Sequence, residues 1–291
     1  MGNLKKGWYV CESNFIQWRK NYRIWMIAAI ETILIFRYLH GLSEYGQETG
    51  KTITPFVLPI VFAEAENSNG LLKYLGCVML FCNAPFLNNQ KPYMILRCKR
   101  KGWYLGENMY LWLAAFLYML FISLISLIAV LPTVSTNRLW GEIAGDFVVN
   151  QRSLIPVYTW GLVMPVRVIQ NYYPLAAFMY TFITGWLSIV FIGKLMYLLN
   201  LKIGKKTIGI SAAVFFIMLD PVAVYFTNFK QYGLFYVSPI NWSSLENINT
   251  VSGYPHLSGE YMFVMYIILI GVESLLSYIC SIKMDIEVKM I

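Results

Sequence analysis

Two carboxylates, Glu31 and Glu273, stand inside long apolar stretches of this chain. A charge there is costly enough that it faces a partner or a wet cavity. Each is read either as polar lining of a transport route, as a switchable contact between helices, or as a hydrogen-bonded structural group. Enzymatic chemistry finds little else to use. The two histidines, His40 and His256, fall at or beyond the ends of apolar stretches, and no His-Glu or Glu-Glu pair lies on an inner helix, so metal-site catalysis lacks ligands. The five cysteines, Cys11, Cys77, Cys82, Cys98 and Cys280, include no CxxC pair and none in an expected external loop, which argues against a metal site or a disulfide framework. No GxxxxGK[ST] phosphate loop occurs, so the chain cannot cradle ATP itself. What remains is the basic amphipathic run Lys91-Pro92-Tyr93-Met94-Ile95-Leu96-Arg97-Cys98-Lys99-Arg100-Lys101-Gly102-Trp103 between two apolar stretches. Its chemistry is docking, or else simply a topology signal in contact with lipid headgroups.

The elements that position these residues follow from composition. The chain is 58% hydrophobic and 13% charged, with a mean hydropathy of +0.54, against the roughly 25% charged residues of a soluble domain. Stretches near the roughly 20 residues needed to cross a hydrocarbon core lie at about 24–40, 70–88, 109–131, 173–199, 207–226 and 260–282. The expected fold is a single all-α integral membrane domain of six transmembrane helices. Arg37 and Lys194 lie close enough to span ends to snorkel. Asp220-Pro221 marks the outer end of the fifth span or a kink. The piece around Pro55–Phe62 is too short to cross and reads as external or re-entrant.

Orientation follows from Lys and Arg, which cytoplasmic loops retain. Lys5, Lys6, Arg19, Lys20 and Arg23 precede the first span; Lys91, Arg97, Lys99, Arg100 and Lys101 follow the second; Lys202, Lys205 and Lys206 follow the fourth; Lys283 and Lys289 follow the last. Both termini are therefore expected in the cytoplasm, and the net charge of +8 reflects attraction to an anionic inner leaflet, not to nucleic acid. The first 23 residues lack the continuous apolar core of a cleavable signal, so the first span is expected to direct insertion.

Within the N-terminal arm, about 1–23, Phe15, Trp18, Tyr22, Trp25 and Met26 fall on one helical stripe flanked by Arg19, Lys20 and Arg23. Such a pattern predicts an amphipathic helix in the headgroup plane, acting as an anchor or as a partner contact. Residues 132–172 and 227–259 are rich in Trp, Tyr and Pro and read as short helices on the outer leaflet.

Taken together, the arm, the Asn83-Ala84-Pro85-Phe86 step, the Arg97-x-x-Arg100-x-x-Trp103 pattern and the Tyr236-Val237-Ser238-Pro239-Ile240-Asn241-Trp242 stretch resemble the membrane subunits of type-2 (ABC-2) ATP-binding cassette exporters, particularly those of Gram-positive bacteria that export peptides and antibiotics. Many members look to carry Asp where Asn83 stands. The resemblance implies a multi-pass subunit of the bacterial cell membrane that is not itself an enzyme and holds no cofactor, ATP and Mg being bound by separate cytosolic ATPase subunits. It implies a second permease subunit, identical or not, and a coupling helix at about Lys91–Lys101. Tyr93, Met94 and Leu96 would be that helix's apolar contact, and Lys91, Arg97, Lys99, Arg100 and Lys101 its charged rim. A route between the two halves would be lined by Glu31, Phe36, Tyr74, Phe81, Phe215, Phe216 and Glu273. These apolar and aromatic faces suit an amphipathic, cytolytic or antimicrobial peptide ahead of a drug or lipid-linked glycan, although the same aromatics are elsewhere lipid-facing or packed core. Competing classes are a stand-alone bacteriocin immunity or sensor protein and an intramembrane enzyme.

Overall fold

The computed structural model describes residues 2–62, 73–86, 91–136, 139–150, 153–154, 164–227, 233–247 and 257–283. Residues 70–72 and 87–88 of the expected second span, the side chain of Lys91, and His256 lie outside them. The described chain is helical, its only strand-like pairings being isolated bridges from Ile53 to Val134 and Gly141.

Helix α1 (Asn3–Ile16) is followed by a 3-10 turn, Gln17–Lys20, and by α2 (Tyr22–Thr49). Asn21 starts α2, its side chain accepting from the Arg23 amide at 3.2 Å, and Gly50 ends it in a left-handed conformation (φ 69°). The first long helix is thus 28 residues and outruns the expected 24–40, because nothing between Arg37 and Gly50 breaks the helical backbone. Beyond it, α3 (Leu58–Val61) is buried in the core, and α4 (Leu75–Phe81) leads to the turn at 82–86. Then come α5 (Lys91–Val130), α6 (Glu142–Val149), α7 (Val166–Asn171), α8 (Pro174–Ile203), α9 (Lys206–Thr227), α10 (Gly233–Val237) and α11 (Gly259–Lys283). Five helices, α2, α5, α8, α9 and α11, are long and apolar enough to cross a membrane, as in a multi-pass protein.

Contacts fix their directions. The far ends of α2 and α5 meet where the Ile53 amide donates to Thr133 O (2.9 Å) and Ser135 to Ile53 O (2.8 Å). Gly141 (φ 88°) closes this corner, since a Cβ there would stand 2.4 Å from Thr52 O. The near ends of α5, α8 and α11 gather around α1: Leu201 packs beside Val10, Ile95 and Trp103, and the Arg100 guanidinium donates to Ile282 O. Since α2 runs away from this end and α5 starts at it, the chain returns through Lys73–Phe86. Helix α9 continues past Asp220-Pro221 to Thr227, although its span-forming part closes at Ala223, and Asp220 is buried.

Between α5 and α8 runs an aromatic ladder in which Phe116 meets both Phe182 and Trp186 at 5.5 Å, and Trp112 meets Trp186 at 5.3 Å. The Trp186 indole N–H is satisfied by Trp112 O at 3.1 Å. Hydroxyls on the long helices bond back one turn, as Ser126 does to Ile122 O (2.8 Å), which keeps them from facing hydrocarbon unpaired.

Candidate functional site: the basic end of the bundle

Glycine builds this end. Gly102 and Gly106 of α5 form a small-xxx-small face, and Gly7 of α1 lies against it: a Cβ on Gly106 would stand 2.5 Å from Gly7 O and from the Val10 Cβ. Such faces let two helix backbones touch. The arm is therefore clamped to α5 through its first helix, and the stripe expected along residues 15–26 is divided by the turn at 17–21. Phe15 and Trp18 turn inward, the Trp18 indole donating to the Tyr110 hydroxyl at 2.8 Å, whereas Tyr22, Trp25 and Met26 face outward. Arg19 is exposed, and Arg23 donates to Cys82 Sγ at 3.3 Å.

The segment expected to dock is helical and continuous with α5 but broken at Lys99, whose φ of 61° and ψ of 159° is a conformation glycine adopts far more readily. At 40 residues an unbroken α5 would be about 60 Å long, twice a hydrocarbon core of about 30 Å. The break bends its first turns out of line with the rest. Ile95 is buried against Val10 and Trp103, and Met94 is half-buried, accepting from Ser13 Oγ at 3.8 Å. Tyr93 and Leu96 are 69% and 74% exposed, and Arg97, Lys99 and Lys101 are exposed with them. Tyr93, Leu96 and Arg97 stand at i, i+3 and i+4, one face of the short helix. Arg100 bonds Ile282 O instead.

The Asn83–Phe86 step is held at the same end. Asn200 of α8 donates to Ala84 O (2.7 Å) and accepts from the Gly209 amide (2.8 Å), tying the step to the α8–α9 corner. Of the Tyr236–Trp242 stretch, Tyr236 and Val237 are exposed and residues 238–242 are buried at the opposite end, where Tyr266 donates to Pro239 O at 2.6 Å and the Trp242 indole to Phe235 O at 2.8 Å.

The residues expected to line a route do not form one surface. Glu31 is buried and accepts from Tyr118 at 2.9 Å. Tyr74 and Phe81 are fully buried; Tyr74 donates to Ser188 Oγ at 3.0 Å. Glu273 of α11 is buried, within electrostatic reach of Lys194. Phe36 and Phe215 face outward, and Phe216 sits between Phe215 and Phe191. Lys194 does not snorkel: it is buried and donates to Ser274 Oγ, because its position, two and a half turns inside α8, leaves its head nearer a serine than water.

Sequence reading missed Lys73. It is fully buried, donates to Ser243 Oγ at 2.9 Å and lies 4.5 Å above the Phe62 ring, with Asp220 acting on it electrostatically. Its signal was a lysine at the margin of an apolar stretch, the same cost that drew attention to Glu31. Comparison with known proteins adds no identity: no family model matches the chain, no curated protein matches it, and no solved structure matches it.

Proposed function

We propose that this chain is the permease subunit of an ABC-2-type exporter in a bacterial plasma membrane, driven by separate cytosolic ATPase subunits that bind ATP and Mg, and paired with a second permease. In this reading Lys73–Phe86 belongs to a sixth crossing, and the basic end with both termini faces the cytoplasm. The observation that carries it is the face made by Tyr93, Leu96 and Arg97: apolar, basic-edged and exposed on a short helix. That helix is braced from behind by α1 through Val10 and Ile95. A push on it is transmitted to α5, α8 and α11, which converge there. The cargo in this reading is an amphipathic or antimicrobial peptide.

The test is purification of the tagged chain from its native membrane in mild detergent, with mass spectrometry of what accompanies it. A near-equal amount of a protein bearing a phosphate-loop motif supports the exporter; recovery of the chain alone supports an immunity or sensor protein. Leu96→Glu with Arg97→Glu should leave the chain inserted but weaken ATPase association by about 30-fold or more, the scale of losing an interface hot spot. Undiminished association in that variant removes the docking assignment.

A further inference from the structure

At the basic end, between the arm and the bundle, lies an open cleft of about 120 Å³ that the docking face does not use. Its polar wall comes from three elements: Asn14 and Asn21 of the arm and its turn, Asn83 after α4, and Lys206 at the start of α9. Met79, Leu80 and Phe86 supply an apolar wall. Asn14 is decisive. It is 3% exposed, and neither its Nδ2 nor its Oδ1 has a hydrogen-bond partner, although it lines the cleft. A buried amide left unpaired costs on the order of 1–3 kcal/mol, so a buried Asn in the wall of an open cleft points to a ligand that completes it.

The chemistry of that ligand follows from the lining. Among the described residues, side-chain amides and one ammonium offer donors, Lys206 reaching Asn83 Oδ1 at 3.5 Å, and none of the described lining residues is a carboxylate. Glu107 acts on Tyr110 of the lining and is itself fully buried. One positive charge, several donors and an adjoining apolar wall match a group with one negative charge, many acceptor oxygens and an apolar root. We propose that this cleft binds a phosphodiester headgroup of a membrane lipid, Lys206 meeting the phosphate and Asn14 its ester oxygens, with the first acyl carbons against Met79, Leu80 and Phe86. Because the arm supplies one wall and α9 another, the bound headgroup would also fasten the arm to the bundle. The inference needs a membrane-spanning chain and does not depend on an ATPase partner.

Native mass spectrometry of the full chain in detergent, titrated with phosphatidylglycerol, tests it. One discrete adduct is expected, weakened about tenfold or more in Lys206→Gln, the scale of one lost charge-assisted hydrogen bond. The near-isosteric Asn14→Asp, which places a negative charge in the cleft, should weaken it at least as much. Lys206 is exposed, so its variant keeps the test valid if Asn14→Asp folds poorly. Diacylglycerol, which has the same chains and no phosphate, should not compete. Displacement by millimolar inorganic phosphate would support the phosphate site and overturn its lipid source. Equal binding of phosphatidylglycerol and diacylglycerol, or wild-type affinity in Lys206→Gln, overturns the proposal.

Discussion

Replacing Gly106 by Ala should unclamp the N-terminal arm. The new methyl would stand 2.5 Å from Gly7 O and from Val10 Cβ, with Val10 Cγ1 at 2.9 Å. The first of these obstacles is backbone, so α1 must move as a body. Overpacking of this kind costs about 1–3 kcal/mol. Alanine also favours a helix over glycine by about 1 kcal/mol, but α5 is helical whether or not α1 is docked, so that gain cancels from the docking equilibrium. Cys11 reports the result. It is 1% exposed, on α1 itself, and burial, with help from the charges of Glu107 and Glu12, pushes its thiol up to about 11. At pH 8 only roughly one docked molecule in a thousand carries the reactive thiolate. Maleimide labelling therefore proceeds through the undocked arm, and at about 1.4 kcal/mol per tenfold the Cys11 peptide should label about 5- to 150-fold faster in Gly106→Ala. Gly145→Ala, where a Cβ meets nothing within 4 Å, is the control. Wild-type labelling of Cys11 in Gly106→Ala would refute the clamp.

Two further predictions concern polar contacts. The Lys51 ammonium hydrogen-bonds Asp146 and holds its carboxyl below the ordinary range, while the same bond raises Lys51. The depressed carboxyl adds stability that is present above an unperturbed Asp value of about 3.9 and lost as pH falls through the lower folded value. The raised Lys51 adds stability that is present below about 10.4 and lost at higher pH. The protection of the Thr54 and Ile143 amides, bonded to Trp140 O and Thr52 O, against hydrogen exchange should fall with acid in the wild type, once each rate is compared with the intrinsic chemical rate at the same pH; an identical pH profile of protection in Asp146→Asn would discount the pair. Tyr118→Phe removes the side-chain donor to buried Glu31 and should lower stability by about 1–3 kcal/mol, read from a denaturant midpoint in detergent. An unmoved midpoint would mean that the carboxyl is satisfied without Tyr118.

The sequence by itself determined the class of this protein and the character of its two ends. Low charge, long apolar runs and clustered Lys and Arg demand membrane helices with one basic end. The run at 91–101 announced itself by its basic amphipathic pattern. Which apolar residues meet protein and which meet lipid was decided only by the tertiary structure, because lipid tails are as apolar as leucine and periodicity cannot distinguish the two. Phe15 and Trp18 therefore parted from Tyr22 and Trp25, and Phe81 from Phe215. The partners of the buried polar groups were equally hidden: Lys73 finds Ser243 170 residues away and Glu31 finds Tyr118 87 residues away. A charge in an apolar stretch declares that it needs a partner, and only the packing of helices distant in sequence says which one it gets.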